Sequence, residues 1–404
     1  MSQKYVVLLG DGMGDYPLPE LGNRTPLEVA STPGMDYLAE RGSLGLVKTI
    51  PAGMPKGSDV ANLSILGYDP AKYYTGRAPL EAANLGLSLS QDEVAFRCNL
   101  VNIKTPSPEA LLEEGVMVDY SGGHISSAEA EVLMRFIDER LGNQGWRFYP
   151  GVSYRNLMVV KNGPEKVDCT PPHDIPGQPL TAHLPKGEGA DFLISLMRAS
   201  YIPLSGHALN LEREQAGKLP ANLIWLWGQG KKPALPSFRE KYGLIGSIIS
   251  AVDLVKGLGR CAGLEVIEVP GATGYLDTNY QGKADALLTS IEKMDFAFLH
   301  LEAPDEAAHN GDVKTKIQAI EQFDARIIGP VLEGLRGRKD VKLLLLCDHL
   351  TPIVVRTHTD DPVPFLISSL DSEPKAGVRY NETSAQASGV FLPDGFRLME
   401  HFLK

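Results

Sequence analysis

At 404 residues the chain exceeds what one hydrophobic core usually organises, so two domains are expected, and its 43% apolar and 22% charged content is that of a soluble globular protein. The net charge of −11 is spread without a basic block, which argues against nucleic acid as a partner and demands a local basic pocket for any anionic substrate. The four cysteines (Cys98, Cys169, Cys261, Cys347) form no CxxC pair and read as reduced thiols. The longest apolar run, Leu343–Cys347, is far too short to span a bilayer, and a strand starting within five residues of Met1 predicts no signal peptide, so a cytoplasmic enzyme is expected.

The first predicted element is the strand YVVLL, which runs into Gly10-Asp11-Gly12. Glycines there let the chain turn tightly and let a ligand approach, so Asp11 is either a turn aspartate or a ligand. Gly10, Gly12 and Gly14 do not make G-x-G-x-x-G, which argues against a dinucleotide fold. Thr32-Pro33 predicts an N-cap followed by proline at the first helical position. In GSDVANLS, Ser58 opens a helix. It is either an N-cap or a hydroxyl in the positive potential where free N–H groups hold a phosphate, with Asn62 one turn later on the same face.

Residues 84–235 have a different texture. Strand-like runs (VAFRCNL, WRFYPGVSYRNLMVV, ANLIWLWGQG) mix with two helical ones (AEAEVLMRFIDERL, ADFLISLMRASYI) and a Pro/Gly-rich loop, Cys169–Gly189. This predicts an α+β domain inserted into a discontinuous domain of residues 1–83 and 236–404. From about residue 240, strand and helix alternate: GSIIS, AVDLVKGLGRCAGL, LEVIEVP, DALLTSIEKM, FAFLHL, a long helix over Thr315–Leu335, and VKLLLL. The rhythm is that of an α/β doubly wound, mostly parallel sheet.

Five residues of metal-ligand type follow the last two of these strands: Asp305 and His309 four apart, Asp348 and His349 adjacent, and His358. Each alone is an ordinary polar residue. Asp305 suits a helix first turn, Asp348-His349 a loop, and His358 a surface. Their joint occurrence at strand ends, where open α/β sheets gather ligands, points to a metal site. Mixed carboxylate and imidazole donors suit Mn²⁺ or Zn²⁺ better than Mg²⁺ or Ca²⁺, and five such groups predict two metals.

These segments, together with GDGM, GMPKGSDVANLSILGYDP and YYTGRAPLEAA, resemble the cofactor-independent phosphoglycerate mutases of the archaeal type, in the alkaline phosphatase superfamily. The resemblance covers nearly the whole chain. It implies isomerisation of 3-phosphoglycerate to 2-phosphoglycerate through a phosphoserine at Ser58, with two Mn²⁺ or Zn²⁺ (or Co²⁺) ions. One ion would be held by Asp305, His309 and His358, the other by Asp11, Ser58, Asp348 and His349. It further implies an insert that closes over the substrate, and Lys256 near the phosphate, although a lysine on that helix is equally a solvated face residue. Asp59 is a candidate general base for the glycerate hydroxyls or a first-turn carboxylate. Arg77, His124, Arg155 and Arg213, with His173 as a further possibility, are candidate cations for carboxylate or phosphate, arginine for its bidentate fork.

The chain departs from the archaeal pattern inside the insert. Asp119-Tyr-Ser-Gly-Gly-His-Ile stands where an arginine-rich D-R-R-A-G-R segment is usual, and CTPPHDIPGQ where an acidic loop is usual. A bacterial subgroup with this insert has been proposed to act as a homoserine kinase. That leaves a small-alcohol phosphotransferase on the same metals and serine as the alternative. Two further readings are a phosphatase or phosphonate hydrolase, and a fold merely stapled by its metals.

Overall fold

The computed structural model describes residues 3–375 and 377–404. The chain divides into two compact units, one of Met1–Tyr74 with Ala234–Lys404 and one of Thr75–Pro233. Residues 75–83 thus group with the second unit and not, as expected, with the first. The helix Ala78–Asn84 carries Ala78 and Ala82 into a small apolar cluster with Leu89, Ala95, Leu157 and Val159, all of the second unit.

The first unit contains an eight-stranded sheet among the described residues. In spatial order its strands are Phe391–Leu392, Gly42–Val47, Val363–Ser369, Val341–Leu346, Lys4–Gly10, Phe296–Leu301, Gly246–Ile249 and Glu265–Val266. The central pairings are parallel; Val363–Ser369 runs antiparallel to both of its neighbours. The central strands are buried along nearly their whole length, which is why they read as continuous apolar runs and not as alternating ones. Register decides where the site lies: Leu9 stands opposite His300 on one side and Leu346 on the other. Asp11, Asp305 and Asp348 therefore all emerge beyond the same carboxyl edge.

Three local expectations differ from the structure. The helix expected over Thr315–Leu335 is continuous only as Val313–Phe323; a π-helical stretch, Asp324–Ile328, precedes a second helix, Gly329–Gly334. Pro330 has no N–H to donate, so the regular ladder does not pass through unbroken. The break has a use. Asp324 accepts from the backbone N–H groups of Gly34 (3.0 Å) and Met35 (2.7 Å), the first turn of the helix Pro33–Glu40. The capping role expected of Thr32 is taken by Asp324, and Thr32 makes no side-chain cap bond. Of LEVIEVP only Glu265–Val266 pairs, at the sheet edge.

The second unit is an antiparallel five-stranded sheet centred on Glu93–Lys104, which pairs with Val116–Asp119, Arg155–Lys161 and Leu223–Lys231; Trp146–Val152 lies beyond Arg155–Lys161. The helices Ser127–Leu141 and Ala190–Ser205 bury their apolar stripes on it. The four cysteines are free, and among the described residues no helix is long and apolar enough to cross a membrane.

Candidate metal centre

The ligand-type residues form two groups joined by a threonine. In the first, Asp305 Oδ2 lies 3.1 Å from His309 Nε2 and 3.6 Å from His358 Nε2, and the two Nε2 atoms are 2.9 Å apart. The four-residue spacing on the short helix Ala303–His309 puts Asp305 and His309 on one face. In the second, His349 Nε2 lies 3.1 Å from Ser58 Oγ, 3.3 Å from Asp11 Oδ1 and 3.4 Å from Asp348 Oδ2. Thr351 links the groups. Its hydroxyl donates to Asp305 Oδ1 (2.5 Å) and meets His349 Nδ1 at 3.2 Å.

The hydrogen bonds assign the tautomers. The Thr351 proton goes to Asp305, so His349 Nδ1–H donates to Thr351 Oγ1. His309 Nδ1–H donates to the Arg356 carbonyl (3.0 Å), and His358 Nδ1–H to the Lys56 carbonyl (3.2 Å). All three imidazoles thus present Nε2 to a carboxylate, the disposition of ligating histidines. Burial lowers His349 to about 4 and keeps it neutral.

Charge makes the same point. Burial, then the neighbouring Asp348 and Asp305 carboxylates, push Asp11 well above the usual carboxylate range. Burial also works to raise Asp305, but hydrogen bonds from His309 and His358 outweigh it and hold Asp305 well below that range. Asp11 Oδ1 and Asn62 Oδ1 are buried without a hydrogen-bond donor. Converging carboxylates with an orphaned oxygen, facing three imidazole Nε2 atoms, are a donor set that a divalent cation fits once it displaces the proton on His309.

The backbone is shaped to this set. Gly12 adopts φ +58, and a Cβ there would lie 2.5 Å from Asp305 Oδ1 and 2.7 Å from Thr351 Oγ1. Its N–H donates to Asp348 Oδ1 (3.2 Å). Beneath it Lys316, fully buried, donates to the Gly14 carbonyl, Asp15 Oδ2 and the Thr351 carbonyl at 3.0, 2.8 and 2.9 Å, tying two ligand-bearing loops together.

Ser58 is the first residue of the helix Ser58–Ile65, and Gly57 holds the N-cap position. Asn62, one turn on, donates to the Ser58 carbonyl (2.9 Å) and to Asp348 Oδ2 (3.0 Å), which fixes the helix end against the second group. Asp59 is buried and accepts from the Tyr74 hydroxyl at 2.7 Å. Lys256 lies on the helix Asp253–Cys261, which packs on Ser58–Ile65, but its ammonium is paired with Glu268 (3.0 Å) and Asp253 (3.6 Å).

In the second unit, His124 and Arg155 are exposed, and Arg77 is half-buried at the start of Ala78–Asn84. Arg213 differs: it is buried, pairs with Glu129 (3.0 Å) and donates to the carbonyls of Gly122 (2.7 Å) and Leu219 (2.9 Å). Its fork braces the turn after Asp119 and is committed to the fold. His173 is exposed, its ring centroid 5.2 Å from that of Trp227 in an edge-on contact.

Sequence reasoning missed four residues. Thr351 and Lys316 are described above, and His300 sits 3.0 Å from Asp11 Oδ2. The fourth, Arg97, is buried in the second unit's central strand, with its guanidinium 4.4 Å over the Trp227 ring and 3.0 Å from Glu81. Burial lowers it to about 10, Glu81 opposes that, and the positive charges of Arg77 and Arg155 add to the lowering. A charge inside the apolar run VAFRCNL was the available signal.

A sequence profile of the 2,3-bisphosphoglycerate-independent phosphoglycerate mutases matches residues 39–210. A Geobacter sulfurreducens protein named as a probable 2,3-bisphosphoglycerate-independent phosphoglycerate mutase is 54% identical over 401 residues, 99% of each chain. The chain belongs to this family. Another 2,3-bisphosphoglycerate-independent phosphoglycerate mutase, from Methanosarcina acetivorans, is 53% identical over 389 residues, 96% of each chain. The solved cofactor-independent phosphoglycerate mutase from Thermoplasma acidophilum superposes with a TM-score of 0.65 at 26% identity, over 99% of each chain. A protein from Pyrococcus horikoshii superposes at 0.82 with 31% identity, over 100% of this chain and 97% of that one. The Geobacter and Methanosarcina relatives carry the mutase name, so the homoserine kinase alternative is not favoured.

Proposed function

We propose that the chain interconverts 3-phosphoglycerate and 2-phosphoglycerate through a phosphoserine at Ser58, with two divalent cations of the Mn²⁺ or Zn²⁺ type. The observation that carries this reading is the convergence of Ser58 Oγ, Asp11 Oδ1 and Asp348 Oδ2 on the unprotonated Nε2 of His349. Asp305, His309 and His358 would hold one cation; Asp11, Ser58, Asp348 and His349 the other. When bound, the cations supply Lewis acidity to the phosphoryl oxygens and favour ionisation of the serine hydroxyl.

Ser58 Oγ loses its proton to a base and forms a bond to phosphorus as the bond from phosphorus to the glycerate 3-oxygen breaks, and the base returns that proton to the departing oxygen. The glycerate 2-oxygen then attacks the phosphoserine, losing its proton to a base, and Ser58 is regenerated. Asp59, oriented by Tyr74, is our candidate for that base. Asn62 keeps the Ser58 helix end in place. The N-terminal end of that helix, with its positive potential, suits the phosphoryl group. We assign recognition of the substrate's anionic end to Arg77, Arg97 and Arg155, since guanidiniums match carboxylate and phosphate geometry. Glycolysis in the cytoplasm is the setting that free thiols and such a substrate suit.

The test is a coupled assay with Mn²⁺, comparing 3-phosphoglycerate with homoserine plus ATP, on the parent protein and on Ser58→Ala. Turnover of phosphoglycerate, lost by at least about a thousandfold in a folded Ser58→Ala protein, is expected. Turnover of homoserine alone would overturn the mutase reading, and normal turnover by Ser58→Ala the phosphoserine.

A further inference from the structure

We propose that His300 is a positioning residue that holds one oxygen of Asp11 and thereby turns the other toward the second cation, an inference that rests on the two-cation reading. His300 is a fully buried imidazole inside the apolar strand Phe296–Leu301. Burying that polarity is costly unless both nitrogens are satisfied.

Both are, and in the reverse sense to the three ligand histidines. Ser250 Oγ lies 3.3 Å from His300 Nδ1 and accepts from the Val252 N–H at 3.0 Å. Its own proton is therefore available to His300 Nδ1. Nε2 then carries the ring's hydrogen and donates it to Asp11 Oδ2 at 3.0 Å. With Asp11 ionised, as a cation ligand must be, the opposite tautomer would set a nitrogen lone pair against a carboxylate lone pair. Lys283 Nζ donates to the His300 carbonyl at 3.0 Å and steadies the strand at that point.

The consequence falls on Asp11. With Oδ2 held, Oδ1 is the oxygen that lacks a donor and lies 3.3 Å from His349 Nε2. Asp11 thus offers a single, aimed oxygen. Asp11, His300 and Asp348 together resemble a third cation site by proximity. In the proposed tautomer neither His300 nitrogen has a lone pair left to give, so His300 serves Asp11 and not a cation. Groups that orient a metal ligand in this way typically contribute 10–100-fold to affinity.

The experiment is a calorimetric Mn²⁺ titration of the parent, His300→Leu and His300→Gln proteins, with circular dichroism as the check on folding. Glutamine sets an amide N–H close to where Nε2–H sits; leucine sets none. Repeating the series in His358→Ala, which disables the first group, reads the second ion alone. We expect His300→Leu to weaken the second ion at least tenfold, to leave the first unchanged, and His300→Gln to recover most of the loss. Should His300→Leu fail to fold, His300→Asn, whose amide falls short of Asp11, takes its place. Unchanged affinity in His300→Leu, equal weakening of both ions, or no recovery with His300→Gln overturns the inference. A parent protein that binds fewer than two ions overturns the two-cation reading itself, and this inference with it.

Discussion

Thr351 stands between Asp305 and His349, giving its one proton to the first and receiving one from the second. A single hydroxyl thereby fixes a carboxylate in one ligand group and the tautomer of an imidazole in the other. Thr351→Val keeps the shape and removes both bonds. We expect each cation to bind about tenfold or more weakly, at little cost to folding. Mn²⁺ titration of the variant checks this; loss confined to one ion would mean that Thr351 serves one group only.

His309 gives the first group a pH dependence. Burial works to lower it, but the hydrogen bond and charge of Asp305 outweigh burial and raise it to about 9. In the cation-free protein that pair stabilises the fold fully below the ordinary value of 6.5, and its contribution is lost as pH rises through about 9. A cation must displace the proton, so its affinity should climb by up to about tenfold per pH unit and level off near 9. Titrations between pH 6 and pH 10 would show the slope; a flat profile would mean that the proton and the cation do not share Nε2.

The Lys316–Asp15 pair is a buried ion pair at 2.8 Å with both side chains fully enclosed. Lys316→Met leaves the buried Asp15 carboxylate without its counter-charge and removes a donor from the Gly14 and Thr351 carbonyls, and we expect a loss of about 3–5 kcal/mol in urea unfolding. Combining it with Asp15→Asn should recover a large part. If the double variant is no better than the single one, the cost lies in packing and not in charge.

Arg97 offers a test of the second unit. Arg97→Lys keeps the charge beside Glu81 but loses the planar fork over Trp227. We expect KM for 3-phosphoglycerate to rise about tenfold, equivalent to about 1.4 kcal/mol, with metal content unchanged. An unaltered KM would make Arg97 a purely structural partner of Glu81.

The alternation of strand and helix was legible because each central strand is an uninterrupted apolar run. The ligand-type residues stood out because aspartate and histidine crowd the strand ends. What was not legible was anything defined by its partner. Thr351 is a threonine two residues past a motif, Lys316 one charge on an amphipathic helix, and His300 one polar letter in FAFLHL. Arg213 misled for the same reason: its type suits an anion, but Glu129 and backbone carbonyls had already claimed its donors. The break at Asp324 was foreshadowed by Pro330, although its capping use was not.

The strand Lys4–Gly10 lies between Val341–Leu346 and Phe296–Leu301 and pairs in parallel with both. During synthesis it leaves the ribosome before either of its partner strands. The unit Thr75–Pro233, by contrast, pairs its strands within a contiguous stretch and has its own core. Its folding can run ahead, while the first strand stays unpaired, apolar and open to wrong neighbours. The centre of the catalytic sheet is therefore a stretch in need of protection until its later partner strands have been made.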